Sequence, residues 1–90
     1  MKIKSGFVLE EVGGSYIAVA VGARAKEFSG LVRLNETGAF LWERLAAADV
    51  SREELLSAML SEFDVPSDVA LADITAFESK LKENGILENE

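Results

Sequence analysis

The spacing of apolar positions changes at Asn35. Before it, short runs rich in β-formers are separated by glycines; after it, apolar residues recur every three or four positions, as on a helix face. Phe7-Val8-Leu9-Glu10-Glu11-Val12 predicts a first strand, and Gly13-Gly14-Ser15 offers the positive-φ residues of a tight hairpin. Tyr16-Ile17-Ala18-Val19-Ala20-Val21 predicts a second strand. Being apolar at nearly every position, it is expected to be covered on both faces or to lie at the centre of a small sheet. Gly22 to Gly30 is a polar loop, and Leu31-Val32-Arg33-Leu34 a short third strand.

Asn35 is an N-cap residue, with Glu36 and Thr37 in the first turn to complement the helix dipole. Phe40, Leu41, Trp42 and Leu45 then form one helical stripe, which Ala46-Ala47-Ala48 extend. Ser51 with Glu54 three residues on is a capping-box pattern, and Leu55, Leu56, Met59, Leu60 and Phe63 predict the apolar face of a second helix. Pro66 breaks the pattern. A third helix is expected from about Ser67 to Asn84, with Ala70, Ile74, Phe77 and Leu81 within roughly 60° of arc at 100° per residue. Gly85 stands where a left-handed residue ends a helix, Ile86-Leu87 fold back on it, and the tail Glu88-Asn89-Glu90 is expected to fray. The order β-β-β-α-α-α, without repeats or linkers, defines an α+β domain: a three-stranded antiparallel sheet followed by three helices, with one sheet face buried and two open edges.

Ninety residues suffice for one domain, here spanning 1–90, and leave little volume for an enclosed active site. The absence of cysteine removes disulfides and thiolate chemistry, and the absence of histidine removes the commonest general base and transition-metal ligand. No metal or other cofactor is expected. The opening Met1-Lys2-Ile3-Lys4-Ser5-Gly6 has no signal-peptide run, and no window approaches the roughly 18 apolar residues of a membrane span. A cytoplasmic protein without a membrane partner is expected. Sixteen acidic against nine basic residues leave a charge of −7, a field that repels nucleic-acid phosphates and suits a basic or apolar partner.

Catalytic machinery finds no foothold. Ser51 and Ser67 stand at helix starts, where capping explains them, and no histidine can activate either. Glu53 and Glu54 read as dipole partners, and Gly13-Gly14 as a turn rather than a phosphate loop. Three helices with a small sheet also describe winged-helix DNA binders. Helix three, however, offers Lys80 and Lys82 against Asp68, Asp73, Glu78 and Glu83. Trp42 and Phe40 read as core, whereas Phe77 could instead line a groove against the third strand. Val69 and Leu71 lie about 100° to either side of the main stripe of helix three, and one of them is a candidate exposed contact.

The strand-to-helix junction Leu34-Asn35-Glu36-Thr37-Gly38-Ala39-Phe40-Leu41-Trp42-Glu43-Arg44-Leu45 resembles the PqqD-like family, whose members carry L-N-E-T-A-x-x-I/L-W-x-x-L there. Phe7-Val8-Leu9 and Tyr16-Ile17-Ala18-Val19 are similar to the family's opening hairpin. Glu53-Glu54-Leu55-Leu56 through Glu62-Phe63-Asp64-Val65 is similar to its second helix, and Phe77, Leu81 and Gly85-Ile86-Leu87 to its close. The resemblance covers nearly the whole chain. It implies a winged-helix-like β3α3 fold acting as a non-catalytic peptide chaperone, the recognition element for a ribosomally made precursor peptide. Relatives capture the leader segment and present it to a modifying enzyme, often a radical-SAM protein. The leader adds as a strand on the third strand and packs against helix three, so that main-chain bonds supply affinity and side-chain pockets specificity.

On that resemblance, Asn35, Thr37, Trp42 and Leu45 are structural. The binding surface is expected at the backbone of Leu31, Val32, Arg33 and Leu34, with Leu71, Ile74 and Phe77 on the facing helix. Val32 is counted among the edge donors that a proline would remove. Pyrroloquinoline quinone members tend to show D-G or C-D-G after the first helix; this chain has Ala48-Asp49-Val50 and reads as a relative serving another peptide product. A general protein-interaction module with another client and a winged-helix DNA-binding regulator are the alternatives. The glycine-bounded loop from Gly22 to Gly30 offers a hinge for a homodimer by strand exchange.

Overall fold

Gly13 and Gly14 both adopt positive φ, 57° and 84°, and alone connect strand β1 (Phe7–Val12) to strand β2 (Ser15–Ala20). Such a two-residue turn fixes register: Val12 pairs with Ser15 and Phe7 with Ala20. The second strand therefore begins at Ser15, one residue earlier than the apolar run indicates, and ends at Ala20. Strand β3 (Leu31–Leu34) lies antiparallel on β2, from Tyr16↔Leu34 to Val19↔Leu31, giving the order β1-β2-β3. The apolar run of β2 thus lies at the sheet's centre. The computed structural model describes residues 1–27 and 30–88. Phe28 and Ser29 of the loop, and Asn89 and Glu90 of the expected frayed tail, lie outside the described residues.

The segment read as a loop contains a 3₁₀ turn, Gly22–Lys26. Arg24 ties it to the sheet: its Nε donates to the Ser5 carbonyl at 3.1 Å, and its guanidinium lies 5.9 Å from the centre of the Phe7 ring. These contacts join residues distant in sequence, so local pattern alone did not indicate them.

Helix α1 (Glu36–Ala47) starts as expected: Asn35 Oδ1 accepts from the Gly38 N–H at 2.8 Å and from the Thr37 hydroxyl at 3.0 Å. Helix α2 (Arg52–Glu62) carries a full capping box, in which Ser51 Oγ accepts from the Glu54 N–H at 3.1 Å and Glu54 Oε1 accepts from the Ser51 N–H at 3.0 Å. Ser67 is different. It is the first residue of helix α3 (Ser67–Glu83), while Pro66 occupies the cap position and makes no side-chain cap bond. The Pro66 carbonyl instead accepts from the Ala70 N–H at 3.0 Å. At the other end, the Ile86 N–H returns to the Leu81 carbonyl and the Gly85 N–H to that of Lys82, with Gly85 at φ 68°. This is the paired ending that a left-handed glycine allows.

That reversal sends the chain back across the domain. Ile86 and Leu87 are buried, and Leu87 forms an antiparallel bridge with Ile3 that the sequence pattern did not reveal. The core gathers Leu41, Trp42 and Leu45 from α1, Leu55 and Met59 from α2, and all four stripe residues of α3, beneath Ala18, Val32 and Leu34 of the sheet. No polar or charged side chain is buried among the described residues. Helix α2 lies at the rim: Leu56 and Phe63 are half-buried and Leu60 is exposed. Phe40 meets Phe63 edge-on, with ring centres 5.3 Å apart, so it flanks the core rather than filling it.

Ile74 is fully enclosed. Ile74→Ala is expected to lower unfolding free energy by about 2–5 kcal/mol, measured by urea denaturation. A second expectation concerns pH. The Ser51 N–H, and then its hydroxyl, hold the Glu54 carboxyl below its ordinary pKa. A folded-state pKa below the unfolded one makes the charged form stabilising at neutral pH, and that contribution disappears as pH falls through the folded value. Glu54→Gln is therefore expected to reduce Tm at about pH 7, with the difference vanishing as acidification protonates the folded carboxyl.

Candidate functional site

Hydrogen-bond parity decides what the edge of β3 offers. The Val21 N–H donates to the Gly6 carbonyl at 2.8 Å, marking that pair as hydrogen-bonded and continuing the β1–β2 register. In an antiparallel ladder such pairs alternate with non-bonded ones. Ser15, Ile17 and Val19 therefore bond toward β1, while Tyr16 and Ala18 bond toward β3. Their partners Leu34 and Val32 are engaged with β2. The N–H and C=O groups of Leu31 and Arg33 point the other way, to the open edge. An independent contact agrees: Lys80 Nζ, from α3, donates to the Arg33 carbonyl at 3.0 Å.

Beside this edge runs an open groove of about 370 Å³ between β3, α3 and the start of α1. Leu34, Ala76 and Phe77 supply its apolar lining; Arg33, Asp73 and Lys80 supply its charge; Tyr16, Asn35 and Thr37 close one side. Gly38 also lines it, and a Cβ there would stand 3.1 Å from Asn35 Oδ1 and 3.3 Å from Leu34 Cβ. A larger hollow, about 530 Å³, lies between the end of α1 and α2. It borders no strand edge, so no unpaired backbone stands ready there for an extended ligand. The outer face of the sheet is a separate apolar surface, where Val8, Val19 and Leu31 align across the three strands.

Helix α3 presents two flanks beside its buried stripe. Asp73, Ala76 and Lys80 line the groove, placing the Val69 flank toward β3. On the other flank Arg52 of α2 donates to Thr75 and Glu78, one and two turns beyond Leu71. Leu71, 40% exposed, therefore stands on the α2 side and not in the groove. Ile74 is core, beneath the groove floor. Phe77 lines the groove while only 5% exposed. Of the expected edge residues, Leu31 and Arg33 contribute backbone, Leu34 contributes its side chain, and Val32 is buried with its N–H committed to β2. Sequence reasoning missed Asp73, Ala76 and Lys80. Their i, i+3, i+7 spacing marks a flank of α3, but nothing in the spacing says which flank meets the sheet.

The chain is thus a small α+β domain with an outward-facing strand edge beside a helix-walled groove, a geometry with room for an extended segment. The chain belongs to the PqqD family: the family model described as coenzyme PQQ synthesis protein D matches residues 6–87. No curated protein matches it. Its fold is similar to that of TbiB1, solved in complex with the TbiA(beta) leader peptide, with a TM-score of 0.75 and 20% identity over 100% of this chain and 98% of that one. It is also similar to lasso peptide synthetase B1, solved with a leader peptide, with a TM-score of 0.69 and 24% identity over 94% of this chain and 93% of the other. No helix among the described residues is long and apolar enough to cross a membrane.

The parity separates two neighbouring proline substitutions. Val32→Pro removes a ladder donor beneath which the core packs, and should cost at least about 2 kcal/mol. Arg33→Pro removes only an edge donor and should leave the denaturation midpoint nearly unchanged. Urea unfolding of both variants checks the assignment.

Proposed function

We propose that this chain is a non-catalytic peptide chaperone that binds the leader segment of a ribosomally synthesised precursor peptide. The leader adds as a fourth strand on β3 and rests its side chains in the groove against α3. The observation that carries this reading is the outward-facing backbone of Leu31 and Arg33 beside an apolar groove floor. Family membership supports it, as do two similar folds solved with leader peptides bound. The exposed backbone of Leu31 and Arg33 receives the strand, and Leu34 and Phe77 meet its side chains. Val32 and Ile74 shape the site from below. Leu71 stands apart from it.

Magnitudes show how the affinity must be divided. Two outward residues provide four hydrogen-bonding groups, each worth about 0.5–1.5 kcal/mol net. A micromolar complex needs about 8 kcal/mol, after the cost of ordering the peptide. Main-chain bonds alone fall short, so burial of apolar side chains over Leu34, Ala76 and Phe77 must contribute several kcal/mol. The client is therefore an extended segment with at least one large apolar residue facing the groove.

The captured leader is then presented to a peptide-modifying enzyme in the cytoplasm, with a radical-SAM protein the class the family resemblance implies. Ala48-Asp49-Val50, in place of the D-G of pyrroloquinoline quinone members, supports a different peptide product.

Amide chemical shifts of the labelled protein, titrated with the leader half of a precursor peptide encoded beside its gene, test the reading. Shifts are expected at Leu31, Arg33 and the Asp73–Lys80 flank, and Arg33→Pro should weaken binding about tenfold. Shifts confined to other surfaces, or an affinity indifferent to Arg33→Pro, would overturn strand addition at β3.

A further inference from the structure

We infer that Lys80 is a specificity-determining residue of the groove, selecting extended peptides that carry an acidic side chain where they pass Arg33. The inference rests on the strand-addition reading and adds the chemical class of peptide that the site takes.

Lys80 arches from α3 over the groove and places its ammonium 3.0 Å from the Arg33 carbonyl oxygen. That oxygen is one of the four edge groups an added strand would engage. A neighbouring strand lies about 4.7–4.9 Å away in a sheet, so the ammonium occupies the corridor an incoming main chain must enter. A carbonyl has two lone pairs, and an ammonium three donors. As the peptide N–H takes the Arg33 oxygen, Lys80 either shares that oxygen or swings aside. In both cases its charge remains within reach of the neighbouring peptide side chain that turns toward the groove beside Arg33.

The charge is also uncommitted. The protein carries a net −7, yet Lys80 forms no ion pair among the described residues; the three ion pairs found there involve the Met1 amino group, Arg24 and Arg52. A cation at the groove wall, without a carboxylate partner among the described residues, is left to attract an acid that enters the groove.

Asp73 confines the preference to one end. It lines the same groove seven residues earlier, about 10.5 Å back along the helix axis. An acidic side chain at that end meets a like charge. Between the two, Ala76, Phe77 and Leu34 receive an apolar residue. The groove thus reads a peptide in one direction, with its acid at the Lys80 end.

Selection from a displayed library of randomised ten-residue peptides, run on the full chain and on Lys80→Met and Lys80→Glu, tests this. Circular dichroism and urea midpoints verify that both variants are folded. The native protein should enrich Asp or Glu over Lys at one position of the selected peptides. Resynthesised Glu and Lys versions should differ about tenfold in Kd at low salt. Lys80→Met should abolish the difference, and Lys80→Glu should reverse it at the same position. Peptides enriched without an acidic position, or with one that persists in Lys80→Glu, would overturn the role of Lys80 while leaving strand addition intact. Failure of the native protein to enrich any peptide would overturn both readings together.

Discussion

A turn of two residues, both in the left-handed region, leaves β1 and β2 no freedom to slip. Because the ladder alternates, that turn determines which residues of β2 bond outward to β1 and which bond inward to β3. The β2–β3 register then passes the same alternation on to the four residues of β3. Leu31 and Arg33 face the edge, and Val32 and Leu34 face the ladder, as a consequence of geometry set some twenty residues earlier. Side-chain direction follows the same period: Val32 and Leu34 are buried, and Leu31 and Arg33 are exposed. The strand thereby anchors itself in the core with one pair of residues and keeps the other pair open.

Helix α3 walls the groove beside that open edge. Its central stripe is consumed by the core, so only the flanks remain for other work. One flank is held to α2 through Arg52, Thr75 and Glu78; the other walls the groove with Asp73, Ala76 and Lys80. Rigidity comes from the apolar stripe and the contacts with α2, and the groove-facing flank carries small or flexible side chains.

An exposed strand edge is also a hazard, since it can pair with any extended chain. Here the edge is four residues long and offers two outward residues, one of whose carbonyls is covered by Lys80. The net charge of −7 further discourages association between copies. These features limit indiscriminate pairing while preserving a receptive edge.

Much of the fold was legible in local pattern because local physics decides it. The Gly13-Gly14 turn, the Asn35 cap, the Ser51–Glu54 box and the Gly85 reversal each depend on residues within a few positions of one another. The core stripe of α3 was equally clear, since burial imposes a period of 3.6 on a helix whatever it packs against. The strand-to-helix junction from Leu34 to Leu45 also carried the family resemblance. Other features required the folded chain. The Ile3–Leu87 bridge and the anchoring of Arg24 on Ser5 join segments far apart in sequence. Val69 and Leu71 are equivalent by helical geometry, and only the packing of α3 between α2 and β3 turned the Val69 flank toward the groove. Likewise, four consecutive strand residues look alike as hydrogen-bond donors until pairing commits every second one to a neighbour. Sequence by itself determined the elements and their buried faces, because propensity and hydrophobic period act over a few residues. The tertiary structure decided which backbone groups face the open edge and which helix flank walls the groove, because orientation about an axis exists only relative to a packed neighbour.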